Sequence, residues 1–278
     1  SQWLFSTTTD LCSIDKSVVV KTKEKNLDFS ELQICVGGLE YSVETGITIN
    51  EKSYNFNTAY IQNVSETEGI RYYTINTDDP TILLELALFK NSFAFRYKSA
   101  INGAFHVNSE ESSFRVLTKA DVYYFERNNN YKLKSYAGTW EHCALEDMAV
   151  ITKKSPIQGS PLIFKFKDGK YGVITEVNLQ NYSGARWLLT DSTKFKVNFT
   201  EGNAGFSIDS SFCTPWRVFF VSDNLTNLVN QDVIKQLSTK PNLTLYGNTD
   251  YIIPGKCVWR WFSKGTGTPI EEKQFIDY

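Results

Sequence analysis

Up to about residue 215 the apolar positions fall in short runs of strand length, separated by turn residues. SVVVKT (Ser17–Thr22), LEYSV (Leu39–Val43) and ITIN (Ile47–Asn50) are rich in the β-branched and aromatic side chains that pack well on a pleated surface. Thr45-Gly46 lies between the last two as a turn signal. LELALFKNSFAFRY (Leu84–Tyr97) reads as two strands joined at Lys90-Asn91-Ser92, a hairpin pattern. Phe114–Arg127, Leu162–Phe166 and Tyr171–Glu176 continue the series, with Asp168-Gly169 turning the chain between the last two. Many short strands with regular turns predict an all-β, mainly antiparallel sandwich or barrel. The length of the strand-rich region favours a large double-sheet sandwich over an immunoglobulin-sized one.

The period changes after residue 221. Leu225, Leu228, Val229, Val233, Ile234 and Leu237 recur at helical spacing, and Ser222, Asp223 or Asn224 can cap the start. Lys240-Pro241 ends that helix, and Gly247–Asp250 is a polar connector. Pro254-Gly255 then leads into KCVWRWF, which reads as a short strand, and Ile270–Tyr278 can begin a helix. Strand, loop and helix make one β/α unit, and a complete barrel needs about 250 residues. The expected organisation is a β-sandwich over residues 1–221, a linker helix and connector over 222–250, and the truncated start of a (β/α)8 barrel over 251–278.

Composition narrows the partners more than it alters the fold. A net charge of -2 over 278 residues gives no electrostatic reason to expect nucleic acid. No apolar run reaches the roughly 18 residues that would span a bilayer. Of the apolar runs, Ile82–Phe89 is the longest; it carries Glu85 and reads as a buried strand. Cys12, Cys35, Cys143, Cys213 and Cys257 are far apart with no C-x-x-C pair, which argues against a zinc knuckle and for buried free thiols. An oxidising compartment would allow one disulfide. The start at Ser1 suggests removal of a signal segment or tag, and the expected location is periplasmic or secreted. Asn63, Asn181, Asn198, Asn224 and Asn242 begin N-x-[ST] triplets, which matter in a eukaryotic secretory pathway.

PWRVFFVSDN, the helix after it, and PGKCVWRWF together resemble the domain junction of glycoside hydrolase family 97, whose members include α-glucosidases and α-galactosidases. FAFRY (Phe93–Tyr97) and GKYGVITEVNLQNYSG (Gly169–Gly184) extend the resemblance upstream. It implies an N-terminal β-super-sandwich, similar to mutarotase-like domains, packed on a catalytic (β/α)8 barrel that would be this chain's partner. It also implies that Glu176 joins carboxylates of the barrel in binding calcium, a hard ion that wants about 6–8 oxygens. The catalytic acid and base would lie on the barrel, so none is assigned here. One carboxylate cannot hold calcium tightly, so no tightly bound ion is expected in this fragment, and no hydrolysis by it alone.

Trp259, Arg260, Trp261 and Phe262 fall on the expected first barrel strand, where Arg260 and Trp261 are candidates to meet substrate. Arg96 and Arg217 are expected in ion pairs or packed on aromatics, and Trp216 should anchor the linker helix. Two further readings stay open. His106 and His142 with a glutamate are the inventory of a mutarotase-like epimerase. A non-catalytic carbohydrate-binding sandwich would instead show an exposed aromatic platform on a sheet.

Overall fold

The structure, a computed structural model, describes residues 10–23, 27–126, 139–153, 156–255 and 267–276. The chain divides into two units, Ser1–Ser238 and Thr239–Tyr278. The first is built of antiparallel sheets, as the strand-length runs predict. An eight-stranded sheet begins with the meander Leu11–Cys12, Val18–Lys23, Asp28–Val36 and Leu39–Glu44. Ser113–Val116, Lys194–Phe199, Ala185–Asp191 and Ile157–Gln158 complete it in that order. A nine-stranded sheet runs Thr139–Ala144, Ala120–Glu126, Leu162–Phe166, Tyr171–Val177, Trp216–Ser222, Ser92–Ser99, Ile82–Phe89, Ile70–Asn76 and Tyr60–Thr67. A four-stranded sheet of Phe206–Ile208, Phe105–Glu110, Ile47–Ile49 and Lys52–Tyr54 accompanies them.

Alternation along the strands fills the core. In Leu162–Phe166, Leu162, Phe164 and Phe166 are buried while Lys165 is exposed. Their side chains join Tyr41, Phe95, Phe114, Trp187, Phe195 and Phe219 in one apolar cluster. Trp216–Ser222 is buried at every position. Phe219 and Val221 face that main core, whereas Trp216, Val218 and Phe220 belong to a second cluster with Leu228, Val233 and Leu237 of the following helices. A strand covered on both faces has no need to alternate, hence the apolar run Val218–Val221 that follows Arg217.

Three local expectations are refined. The run Phe114–Arg127 is not one strand: Ser113–Val116 lies in the eight-stranded sheet and Ala120–Glu126 in the nine-stranded one. The polar pair Thr118-Lys119 sits where the chain crosses between them. The apolar spacing over 225–237 forms two helices, Leu225–Val229 and Val233–Leu237. Asn230 stands at the end of the first, its backbone and side-chain amides both donating to the Thr226 carbonyl. Asn224 caps its start by accepting from Asn227 N at 2.8 Å. The expected hairpin has a two-residue turn, Lys90-Asn91, with Ser92 opposite Phe89 and Asn91 at φ 51°.

The second unit contains a short helix, Leu243–Tyr246, capped by Asn242. Its other described helix is Pro269–Ile276, preceded by Thr268. The Glu271 carboxylate accepts from Thr268 N and the Thr268 hydroxyl accepts from Glu271 N, a reciprocal cap. The expected strand KCVWRWF, with Arg260 and Trp261, lies outside the described residues. Among the described residues no helix is long and apolar enough to cross a membrane.

Gly172 faces the ring of Phe219 so closely that a Cβ there would lie 2.9 Å from it and 3.0 Å from Phe166. Phe219 is fully buried and its ring centroid is 3.8 Å from that of Tyr41, so it cannot swing away. Gly172→Ala is therefore expected to cost about 1–3 kcal/mol by overpacking. Urea unfolding at fixed pH measures this, and a loss within error of zero would contradict it.

Candidate functional site

Arg217 is placed by the strand Trp216–Ser222, directly opposite Glu176 on Tyr171–Val177. In an antiparallel pair, opposed residues point to the same face, so the register alone brings guanidinium and carboxylate together. Arg217 Nη1 reaches Glu176 Oε2 at 2.8 Å. Its other edge forms a fork with Glu110: Nη2 to Oε1 at 2.7 Å and Nε to Oε2 at 3.1 Å. Glu110 comes from Phe105–Glu110 of the four-stranded sheet. The Arg217 and Glu110 side chains are fully buried, while Glu176 keeps 14% of its side chain exposed.

Neutral donors occupy all but one of the remaining acceptor positions. Tyr182 Oη donates to Glu110 Oε1 at 2.8 Å and Ser112 Oγ donates to Oε2 at 2.8 Å. Ser112 also shares a 3.0 Å hydrogen bond with Tyr97 Oη, which accepts from Gly46 N at 2.7 Å. Ala185 N donates to both oxygens of Glu176 at 3.0 Å. Tyr182 is gripped by Phe206 and Phe212 through ring contacts.

One cation therefore faces two carboxylates in a nearly dry interior. Burial opposes the charge on Arg217, yet Glu110 and Glu176 hold it protonated and push its pKa above the ordinary arginine value. Burial and the charge of Glu110 raise the hydroxyl pKa values of Tyr97 and Tyr182, which stay neutral donors. Burial also pushes Glu176 above the ordinary carboxylate range, and Arg217 offsets this incompletely. Arg217 is already paired by its fork with Glu110, so Glu176 is the second anion on one cation.

The expected ion pairs of Arg96 and Arg217 are present. Arg96 Nε lies 2.6 Å from Glu85 and its guanidinium 4.2 Å over the Trp216 ring. Trp216 packs with Leu228 and Val233, as expected of an anchor for the helices. The two histidines lie on different sheets. His106 bonds Ser207 Oγ and the Ala204 carbonyl, and His142 stacks on Tyr123. Cys12, Cys35, Cys143 and Cys213 are free thiols, half-buried rather than buried, and Cys257 lies outside the described residues. Among the described residues no three His, Cys, Asp or Glu side chains gather as a metal site. Glu176 is not the strand-end glutamate free in solvent that its position suggests. It accepts three hydrogen bonds, two of them at Oε2, which leaves one lone-pair position open at Oε1. In the sequence Glu110 is simply a neighbour of Glu111, with no role assigned. It closes a strand between Ser109 and Glu111, with no apolar neighbour to mark it as buried, and its partner stands 107 residues away.

Removing Glu110 would strand a buried guanidinium with one partly exposed partner. Glu110→Ala is expected to cost about 3–5 kcal/mol, read by urea unfolding; a loss below about 1 kcal/mol would contradict the network's role. Glu176 gives a pH signature of known sign. Its folded pKa lies above the ordinary 4.5, so the folded state holds its proton more tightly than the unfolded state. The stability this contributes is fully present below the unfolded value and is lost as pH rises through the folded one. Wild type should therefore lose stability relative to Glu176→Gln as pH rises from 4.5 toward the raised folded value. Parallel profiles for the two proteins would contradict the raised pKa.

The model of the family described as "Glycosyl-hydrolase 97 N-terminal" matches residues 14–240. A comparison with curated proteins returned no match. Among solved structures the chain is similar to three of a glycoside hydrolase family 97 enzyme from Pseudoalteromonas sp. strain K8. An arginine-to-lysine variant of that enzyme superposes with a TM-score of 0.70 at 17% identity. Its complex with acarbose gives 0.68 at 18%, and a glutamate-to-glutamine variant in complex with panose gives 0.68 at 17%. Each alignment covers 89% of this chain and 40% of the longer one, so the chain spans less than half the length of those enzymes. At that identity the structural likeness speaks for the fold, and the family model decides membership: the chain belongs to the glycoside hydrolase 97 N-terminal family.

Proposed function

We propose that this chain is the N-terminal part of an enzyme that hydrolyses α-glucosides or α-galactosides. Its sandwich packs on a catalytic (β/α)8 barrel and presents Glu176 to the active site there. The observation that carries this reading is the position of Glu176, whose carboxylate has the one exposed edge of an otherwise buried ionic network. Acarbose and panose in two of the similar structures are consistent with an α-glucosidic substrate.

Calcium is the metal this reading implies, and the donors fit it in a limited way. Glu176 has room for one further partner at Oε1, so it suits a monodentate role with the other oxygens supplied elsewhere. When bound, the ion would supply positive charge at the sugar and at neighbouring acids. This chain's own residues orient that ligand. Arg217 fixes Oε2, Ala185 N fixes the plane of the carboxylate, and Glu110 fixes Arg217. A substrate role for Arg260 and Trp261 belongs to the same proposal. So does a periplasmic or secreted location.

By this reading the chain alone lacks both a complete metal site and the catalytic carboxylates. It should not release nitrophenol from nitrophenyl α-glucoside or α-galactoside above background. Calorimetric titration should find no micromolar calcium site. In the complete enzyme, Glu176→Gln should weaken calcium binding by direct titration. Turnover by the chain itself, tight calcium binding to it, or an unaffected calcium affinity in the complete variant would each refute the corresponding part.

A further inference from the structure

The helices at 225–237 cover the outer face of the nine-stranded sheet around Trp216, Val218 and Phe220. The two strands at one end of that sheet, Ala120–Glu126 and Thr139–Ala144, carry a different arrangement. Their register sets Tyr123 opposite His142 and Phe125 opposite Trp140. These four lie on the face away from the core, since the intervening Val122 and Tyr124 are buried. The Tyr123 and His142 rings stack with centroids 5.3 Å apart at 16°, and those of Phe125 and Trp140 are 3.9 Å apart at 41°. Trp140 is 47% exposed. The result is a two-by-two ladder of flat rings, with Trp140 and His142 exposed and Tyr123 and Phe125 half-buried.

The same face continues into a pocket. Asp121 stands opposite Ala144 on one side and Lys165 on the other, one step beyond the Tyr123 pair. All three line a cavity of about 320 Å³ that also draws on Lys119, Glu146 and Lys167. Among the described residues, none of the five charged side chains is engaged in an ion pair or hydrogen bond.

Cross-strand aromatic pairs stabilise an edge, but leaving Trp140 47% exposed there also invites unwanted pairing, which stabilisation alone does not call for. The lining decides what would occupy it. An apolar partner would strip water from five charged groups without replacing it. A polyanion would meet Asp121 and Glu146, and a polycation would meet three lysines. A neutral polyhydroxylated ring suits both halves. Its apolar C–H face can lie on the rings, while its hydroxyls accept from ammonium groups and donate to carboxylates. We infer that this face is a carbohydrate-binding surface for a neutral oligosaccharide of hexopyranose units, separate from Glu176 and independent of the calcium reading.

The test titrates the full 278-residue chain with maltoheptaose and, separately, cellohexaose. Binding is followed by calorimetry and by the Trp140 indole resonance. At least one sugar should bind and shift that resonance. Trp140→Ala should weaken binding about tenfold or more, as loss of an aromatic anchor does, while Trp140→Tyr retains most of it. Asp121→Asn, which leaves the ladder intact, should also weaken it. Circular dichroism shows whether each variant is folded. No heat and no shift with either sugar at millimolar concentration would overturn the inference. So would affinities that Trp140→Ala and Asp121→Asn both leave unchanged. Sedimentation showing a wild-type dimer that Trp140→Ala dissociates, with no sugar binding, would assign the face to contact between copies and overturn it equally. None of these results bears on Glu176, whose reading rests on calcium affinity in the complete enzyme.

Discussion

A fully buried arginine is costly unless its nitrogens find acceptors, and each of the three in Arg217 reaches a carboxylate, supplied from separate parts of the fold. Its own strand and the strand of Glu176 are neighbours in the nine-stranded sheet, but Glu110 ends a strand of the four-stranded sheet. Ser112 and Tyr97 extend the chain of hydrogen bonds to Gly46, where the polypeptide passes from the eight-stranded to the four-stranded sheet. The three sheets cannot shift relative to one another here without breaking a charge-assisted bond. Apolar packing, which is non-directional, would tolerate a slide. The ionic network fixes a register where the hydrophobic core fixes only an approach.

That constraint also positions the functional residue. Glu176 belongs to a rigid strand, and its carboxylate plane is held from two directions by Ala185 N and Arg217. A ligand on a mobile loop would lose entropy each time it engaged. One held in place before its partner arrives has already met that cost during folding.

Most of the fold was legible because strand periodicity is local information. The hairpin at Lys90-Asn91 and the turn at Asp168-Gly169 follow from residues that accept unusual backbone angles. Which sheet a strand joins is not local. Ser113–Val116 and Ala120–Glu126 read as one run, because nothing within Phe114–Arg127 records that its two halves face different neighbours. The helical spacing over 225–237 was likewise legible, yet the break between Leu225–Val229 and Val233–Leu237 is not something apolar periodicity registers. For the site the division is sharper. Arg217 announced a need for acceptors, but Glu110 supplies them from 107 residues away. Pattern alone gave Glu176 no distinction from an ordinary strand-end carboxylate; the resemblance singled it out, and the structure showed its burial and its partners.

The charge count of the network gives Glu176 a physical meaning of its own. One guanidinium and two carboxylates leave a formal charge of -1 with nearly all of its surface dry. Glu110 is bound on both oxygens by the fork and by two hydroxyl donors, so it has little freedom to relieve that excess. Relief is available only at the exposed edge, by a proton on Glu176 or by a cation approaching Oε1. Those two outcomes compete for the same lone pair. Burial makes Glu176 hold its proton more tightly than an ordinary carboxylate, so an arriving cation must displace that proton, and its positive charge lowers the pKa as it approaches. Arg217 and Glu110 thus act together on Glu176: the fork absorbs the arginine's charge and leaves the glutamate under-neutralised, oriented and open on one side.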